Sequence, residues 1–199
     1  MSKKILIVDD EEKIRELINK YLVNEGFEVI EALWLFGVAV EDITVAVHRQ
    51  SVVHSMVEFV DGSVVAQLAS PDMRLPIQYA LTYPERRQCC ASSLDIFGMK
   101  DLTFEQPDEA VFPALSVCKR AIKMGGLAPA AVNAADEVAV DQFLKGNIGF
   151  RDMALVAENA LTVADTSREY SLDDVFAADA AARAGARDFI EKLRASEML

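Results

Sequence analysis

The pair Asp61-Gly62, set between two alternating apolar segments, constrains the fold more than any other feature of the chain. Met56 to Val60 and Ser63 to Leu68 each alternate apolar and polar side chains. That period of two places one face of each segment against a core. An Asp-Gly pair supplies the positive φ angles of a two-residue hairpin turn. The sequence therefore predicts an antiparallel hairpin, and with it a sheet. Upstream, Lys4 to Val8 is β-branched or leucine and runs into Asp9 and Asp10, which reads as a buried parallel strand. Ile14, Leu17, Ile18, Tyr21 and Leu22 then fall at helical spacing, with Gly26 placed to end that helix. Phe27 to Ala32 reads as a second strand, Trp34 to Val40 as helix-compatible, and Thr44 to Val47 as another strand.

Ser70-Pro71-Asp72 marks a turn, and Pro76 to about Tyr83 suits a short helix with proline near its first turn. From Pro84 to Pro113 periodicity is lost, and Pro84, Gly98, Pro107 and Pro113 interrupt the chain. Beyond it the apolar residues recur at helical spacing. Helices are expected over Ala114–Met124, Pro129–Leu144, Phe150–Ala164 and Leu172 to about Ala195, with Gly125-Gly126 as a turn between two of them. The expected fold is α+β, a small mixed sheet with flanking helices followed by a C-terminal helical bundle. The expected domains are a mixed part over 1–83, a connector over 84–111 and a helical domain over 112–199.

At 52% hydrophobic and 26% charged, the 199 residues can bury a core. A net charge of -12 argues against a nucleic-acid partner, which needs basic surface to displace counterions, and against docking on anionic lipid. Three cysteines, Cys89, Cys90 and Cys118, with no Cys-x-x-Cys, fit a reduced, cytoplasmic compartment. No apolar run reaches the length of a membrane span.

Two resemblances overlap in one stretch. Lys3-Lys4-Ile5-Leu6-Ile7-Val8-Asp9-Asp10-Glu11, with the Gly26-Phe27-Glu28-Val29-Ile30-Glu31-Ala32 that follows the first helix, resembles the start of a response-regulator receiver domain. In that family the acid pair, here Asp9 and Asp10, helps to bind Mg²⁺. Where the phosphoryl-accepting Asp would stand, the chain reads Val52-Val53-His54-Ser55-Met56, so a working receiver is not expected.

The longer resemblance is to the 1-deoxy-D-xylulose 5-phosphate reductoisomerase family, from about residue 28 to the end. It rests on Ile30-Glu31-Ala32-Leu33-Trp34-Leu35-Phe36-Gly37, on Val47-His48-Arg49-Gln50-Ser51-Val52-Val53-His54-Ser55-Met56-Val57 and on Asp61-Gly62-Ser63-Val64-Val65-Ala66-Gln67-Leu68. Pro71-Asp72-Met73-Arg74, Leu102-Thr103-Phe104, Phe112-Pro113 and Asn133-Ala134-Ala135-Asp136-Glu137 follow in the family's order. The two resemblances meet at residues 24–32, which suggests a join, a chimera that carries a fragment of the enzyme.

The resemblance implies a parent reaction, the rearrangement of deoxyxylulose phosphate and its reduction by NADPH to methylerythritol phosphate in isoprenoid biosynthesis. A divalent ion, Mg²⁺ or Mn²⁺, serves there as Lewis acid. It implies Glu28 as a metal ligand, Asn24 as a contact to the phosphorylated sugar, His54 as an active-site histidine that also contacts substrate, and Met73 as a residue lining the substrate site. It also implies a homodimer built through the sheet. Read from residue type alone, Glu28 is an ordinary exposed acid, His54 a sheet histidine satisfied by its neighbours, and Met73 a core residue. His48 reads as structural and Cys89-Cys90 as an inert thiol pair.

The chain departs from the family in carrying Glu25 for a lysine, Arg49 for a proline and Asp136 for an asparagine. Two acidic metal ligands of the family have no counterpart here. No Gly-x-Gly-x-x-Gly occurs, so NADPH binding by this chain is not expected. The expected function is therefore that of a reductoisomerase-related protein, truncated and inactive alone. The alternatives are a receiver-like signalling module and a non-catalytic helical dimerisation or interaction domain.

Overall fold

A computed structural model describes residues 4–9 and 27–197, the first six by their backbone alone. The predicted helix over 14–22, the cap at Gly26, and residues Asp10, Asn24 and Glu25 lie outside the described residues. Contacts divide the chain into two compact units. One holds residues 4–9 and Glu41–Pro107, the other residues 27–40 and 108–197.

The first unit is built on a four-stranded mixed sheet in the order β2-β1-β3-β4. Its strands are β1 (Lys4–Asp9), β2 (Ile43–Val47), β3 (Val53–Glu58) and β4 (Val64–Leu68). β1 runs parallel to β2, with Ile5 opposite Ile43 and Asp9 opposite Val47, and antiparallel to β3, with Leu6 opposite Met56. β3 and β4 form the predicted hairpin, whose register shifts between Val53 and Ser55. The turn differs from the expected two-residue form. Phe59 N–H donates to Ser63 O (2.8 Å) and Gly62 N–H to Phe59 O (2.9 Å), leaving Val60, Asp61 and Gly62 as a three-residue loop. Gly62 alone takes a positive φ (81°), as the left-handed residue that closes such a loop. Asp61 keeps a negative φ. Its Oδ1 accepts from the N–H (2.9 Å) and hydroxyl (2.5 Å) of Ser63, and those bonds hold its carboxyl below the usual range.

Helix α2 (Arg74–Thr82) follows the sheet. The segment leading to Pro107 carries no further helix or strand, but it is strapped to β2. Val47 and Glu105 exchange two backbone hydrogen bonds of 2.9 Å. Arg49 lies along both oxygens of Glu105 (3.0 and 3.3 Å), and Gln50 bonds Thr103 through both ends of its amide. Beneath this strap His48 is fully buried, stacked on Phe104 at 4.7 Å and 13°, with Nδ1 2.8 Å from Thr103 O. Among the described residues its Nε2 has no hydrogen-bond partner.

The second unit is helical: α1 (Glu28–Phe36), α3 (Pro113–Met124), α4 (Ala128–Leu144), α5 (Phe150–Leu161) and α6 (Leu172–Glu197). Helix α1 corrects the strand expected over Phe27–Ala32. In that stretch the acids Glu28 and Glu31 stand three apart, and so do Phe27 and Ile30, which pack with Val117, Cys118 and Ala121 of α3. Long-range burial selects the helical period over the two-residue one. The local signals that agree are Glu28 and Glu31 in the first turn and Gly37, left-handed at φ 61°, whose N–H caps Leu33 O.

The other helices begin where their caps lie. Pro113 opens α3. Asp152 Oδ2 accepts from Gly149 N–H (2.7 Å) ahead of α5. Ser171 and Asp174 bond each other's backbone N–H groups at 2.8 and 3.2 Å, a reciprocal cap for α6. Ala131, Ala134, Ala135 and Ala139 on α4 are almost wholly buried. Their small side chains let α4 share a core with Val156 and Ala160 of α5 and with Ala182, Ala186 and Ile190 of α6. No described helix is long and apolar enough to cross a membrane.

Candidate functional site

β3 and the turn before α2 bring two of the sequence-predicted residues to one groove. The groove is lined by Ser51, His54, Gln67, Ser70, Pro71, Asp72, Met73, Tyr79, Arg86 and Cys89, among others, and its volume is about 780 Å³. That falls within the range of small-molecule sites. His54 is the second residue of β3. Its ring is held at both ends, with Nε2 3.1 Å from Ser51 O and Nδ1 3.2 Å from Gln67 Oε1. The carbonyl of Ser51 can only accept, so Nε2 carries a proton. Nδ1 then accepts from the Gln67 amide with that amide rotated, or the ring is cationic and donates at both ends. Ser51, at φ 49°, is the described non-glycine residue with positive φ, and this conformation aims its carbonyl at the ring.

Met73 stands just ahead of α2 and is 72% exposed, so it is a groove wall and not the core residue its type suggests. Asp72 fixes the start of α2. Its Oδ1 accepts from Arg74 N–H (3.0 Å), and both its oxygens face the Arg74 guanidinium (2.5 to 3.1 Å). Those hydrogen bonds hold the Asp72 carboxyl at about 2 and raise the guanidinium above its usual range. Arg86 lies 3.6 Å over the Tyr79 ring. Arg86 and Tyr79 carried no signal in the sequence, and Ser51 and Gln67 stood within the strings of the family resemblance without being marked as site residues. They meet His54 only through the sheet register and the return of the 84–89 segment.

Glu28 opens α1 in the helical unit and is partly buried. Cys118, on α3, is completely buried. Desolvation first, then the charges of Asp136 and Glu28, pushes its thiol far above the usual range. Asp136 on α4 is 6% exposed and borders a cavity of about 20 Å³ with Pro113, Phe150, Arg151 and Met153. Burial, with Glu137 beside it, pushes its carboxyl up to about 7.

Asp9 ends β1. The described residues bring no group of three or more His, Cys, Asp or Glu side chains together. They do not by themselves form a divalent-metal centre.

A mixed sheet that carries a ligand-sized groove and a unit built of helices define an α+β protein. Residues 68–185 match the family model for the DXP reductoisomerase C-terminal domain, and the chain belongs to the DXP reductoisomerase family. The 1-deoxy-D-xylulose 5-phosphate reductoisomerase of Methylobacillus flagellatus is 51% identical over 168 residues, 84% of this chain and 43% of that protein. That of Ralstonia pickettii is 52% identical over 169 residues, 85% of this chain and 43% of that protein. The Zymomonas mobilis reductoisomerase in complex with NADPH superposes with a TM-score of 0.83 at 38% identity, covering 94% of this chain and 55% of that one. A DOX-P reductoisomerase in complex with NADPH, fosmidomycin and magnesium gives 0.84 at 31%, covering 96% and 56%. The chain thus spans less than half the length of the curated relatives it matches.

Proposed function

We propose that this chain supplies the sheet and helical C-terminal part of a reductoisomerase of the methylerythritol phosphate pathway. That enzyme would convert 1-deoxy-D-xylulose 5-phosphate to methylerythritol phosphate with NADPH and Mg²⁺ or Mn²⁺ in the cytoplasm. One observation carries the reading: His54 and Met73, the two positions that the family resemblance marks for substrate, line one groove. His54, oriented at both ring nitrogens, is the acid–base or hydrogen-bonding group toward the sugar, and Met73 an apolar wall. In this reading Asn24 contacts the phosphate and Glu28 gives one carboxylate to the metal, the remaining ligands and the NADPH site coming from the part of the family that this chain does not span. The chain alone is then inactive.

The chain, NADPH, Mn²⁺ and deoxyxylulose phosphate, followed by nicotinamide absorbance, are expected to show no sustained oxidation. Adding the part of the M. flagellatus relative that this chain does not span is expected to restore it. His54→Ala should lower the restored rate roughly a hundredfold. Turnover by the chain alone would overturn the inactive reading. An undiminished rate in the His54→Ala mixture would remove His54 from the chemistry.

A second copy is the proposed partner. β4 is an edge strand with Val64, Val65 and Leu68 all exposed, and such an edge pairs readily. Light scattering should give a dimer, and Val65→Lys should shift it to monomer. A clean wild-type monomer at high concentration would end this part of the proposal.

The N-terminal stretch we read as the start of a receiver domain joined at residues 24–32. β1, closing on Asp9 at the end of a strand parallel to β2, favours it. The join leaves out the phosphoryl acceptor, so acetyl phosphate with Mg²⁺ should label nothing. Stoichiometric labelling would instead establish a signalling role.

A further inference from the structure

Cys89 and Cys90 lie outside every role assigned above, yet their setting is not inert. Cys89 is half-buried and lines the His54 groove, whereas Cys90 is exposed at its rim. The Arg74 guanidinium reaches Cys90 Sγ at 3.6 Å. Both thiols lie within electrostatic range of that one cation. Asp72 and the backbone of α2 fix its orientation. The segment that delivers the thiols is also anchored, because Gln78 Nε2 donates to Arg87 O (2.9 Å) and Gln88 O (3.2 Å). Arg86 and Arg87 precede the pair. The local carboxylates are Asp72, taken by Arg74, and Glu85, taken by Arg87 (2.6 Å). Arg86 lies over the Tyr79 ring. On a chain of net charge -12 this rim carries three guanidiniums against two carboxylates.

We propose that Cys89 and Cys90, with Arg74, form a dithiol exchange site for small anionic disulfides at the edge of the groove. A thiolate is the attacking species, and the guanidinium beside Cys90 attracts the anionic disulfide to it. The Cys90 thiolate attacks one sulfur of the disulfide RS–SR. The S–S bond breaks and RS⁻ leaves, taking up the proton that Cys90 lost. The Cys89 thiolate then attacks the Cys90 sulfur of the mixed disulfide and expels the second RS⁻, which takes up the Cys89 proton. The disulfide gains two electrons and becomes two RSH, and the cysteines become one Cys89–Cys90 disulfide. A link between neighbouring residues is strained, hence readily reduced, as a reversible switch requires. Cys89 forms part of the groove wall, so its redox state reshapes the cavity beside Met73.

The test uses the full chain with excess glutathione disulfide at pH 7.5, followed by alkylation of the unfolded protein and peptide mapping. Cys89 and Cys90 should be found linked, Cys118 free, and dithiothreitol should restore both thiols. Cys90→Ser should abolish the link. Arg74→Gln should slow its formation about fivefold, the scale of one exposed charge at this distance. If that variant melts below the wild type, 1 M salt on the wild type gives the same readout, because it screens the guanidinium. Glutathione on Cys118, no 89–90 link, or a rate indifferent to both Arg74 and salt would overturn the proposal.

Discussion

Gly126→Ala is expected to destabilise the helical unit by about 3 kcal/mol or more. Two independent costs combine there. Gly126 sits at φ 57°, where any Cβ is strained. A Cβ would also lie 2.6 Å from the backbone carbon of Thr166 and 2.7 Å from Ser167 O. Backbone cannot swing aside as a side chain can. The facing loop is held by Leu127 N–H donating to Asp165 O (2.8 Å) and by Ser167 bonding the Asp165 carboxylate. Gly146→Ala is the control, since it shares the positive φ (72°) but meets nothing within 4 Å. Only the backbone term applies, and about 1 kcal/mol is expected. Urea unfolding of the two variants checks the difference, and equal losses would show that the close approach carries no cost.

Asp136→Asn is expected to stabilise the protein at pH 8 by roughly 2 to 4 kcal/mol. The folded carboxyl titrates near 7, against roughly 3.9 when unfolded. A raised carboxyl costs nothing below the unfolded value, where both states are protonated. Between about 4 and 7 the unfolded chain ionises and the folded one does not, so stability falls. Above 7 the loss is complete, about 4 kcal/mol at 1.36 kcal/mol per unit. Asparagine has no charge to desolvate, so its advantage should shrink steadily as pH falls from 8 toward 4. A gain independent of pH would mean that packing in the cavity, and not ionisation, sets the effect.

Much of the architecture was legible before any coordinates. The helices over 113–197 follow from apolar spacing and the Gly125-Gly126 break, both of which are local; the Pro113 start and the Ser171–Asp174 cap appear only in the structure. The strand misread at Phe27–Ala32 has an equally plain cause. Its acids, Glu28 and Glu31, and its apolar Phe27 and Ile30 recur three apart, a helical spacing that the strand reading passed over and that contact with Val117 and Cys118, some ninety positions away, fixes. The hairpin was placed correctly, yet its loop took three residues, because the ladder pairs Phe59 with Ser63.

Of the groove, His54 and Met73 were nameable through the order of motifs. The bonds to Ser51 O and Gln67, the Arg86–Tyr79 contact and the Arg74–Cys90 contact were not. They join positions from 3 to 16 residues apart across a turn, a hairpin or a loop return. Composition cannot encode such distances.

By itself, then, the sequence determined which segments form helices where periodicity and caps agree, where the hairpin reverses, and which family the order of motifs belongs to. These are properties of neighbouring residues, whose energetics are complete within a few turns of chain. Tertiary structure alone decided that 28–36 is helical, that His48 is sealed under Phe104, that Asp136 is desolvated and that the thiols share a guanidinium. Each depends on which distant surface covers a residue, and burial and charge proximity exist only once the chain has closed on itself.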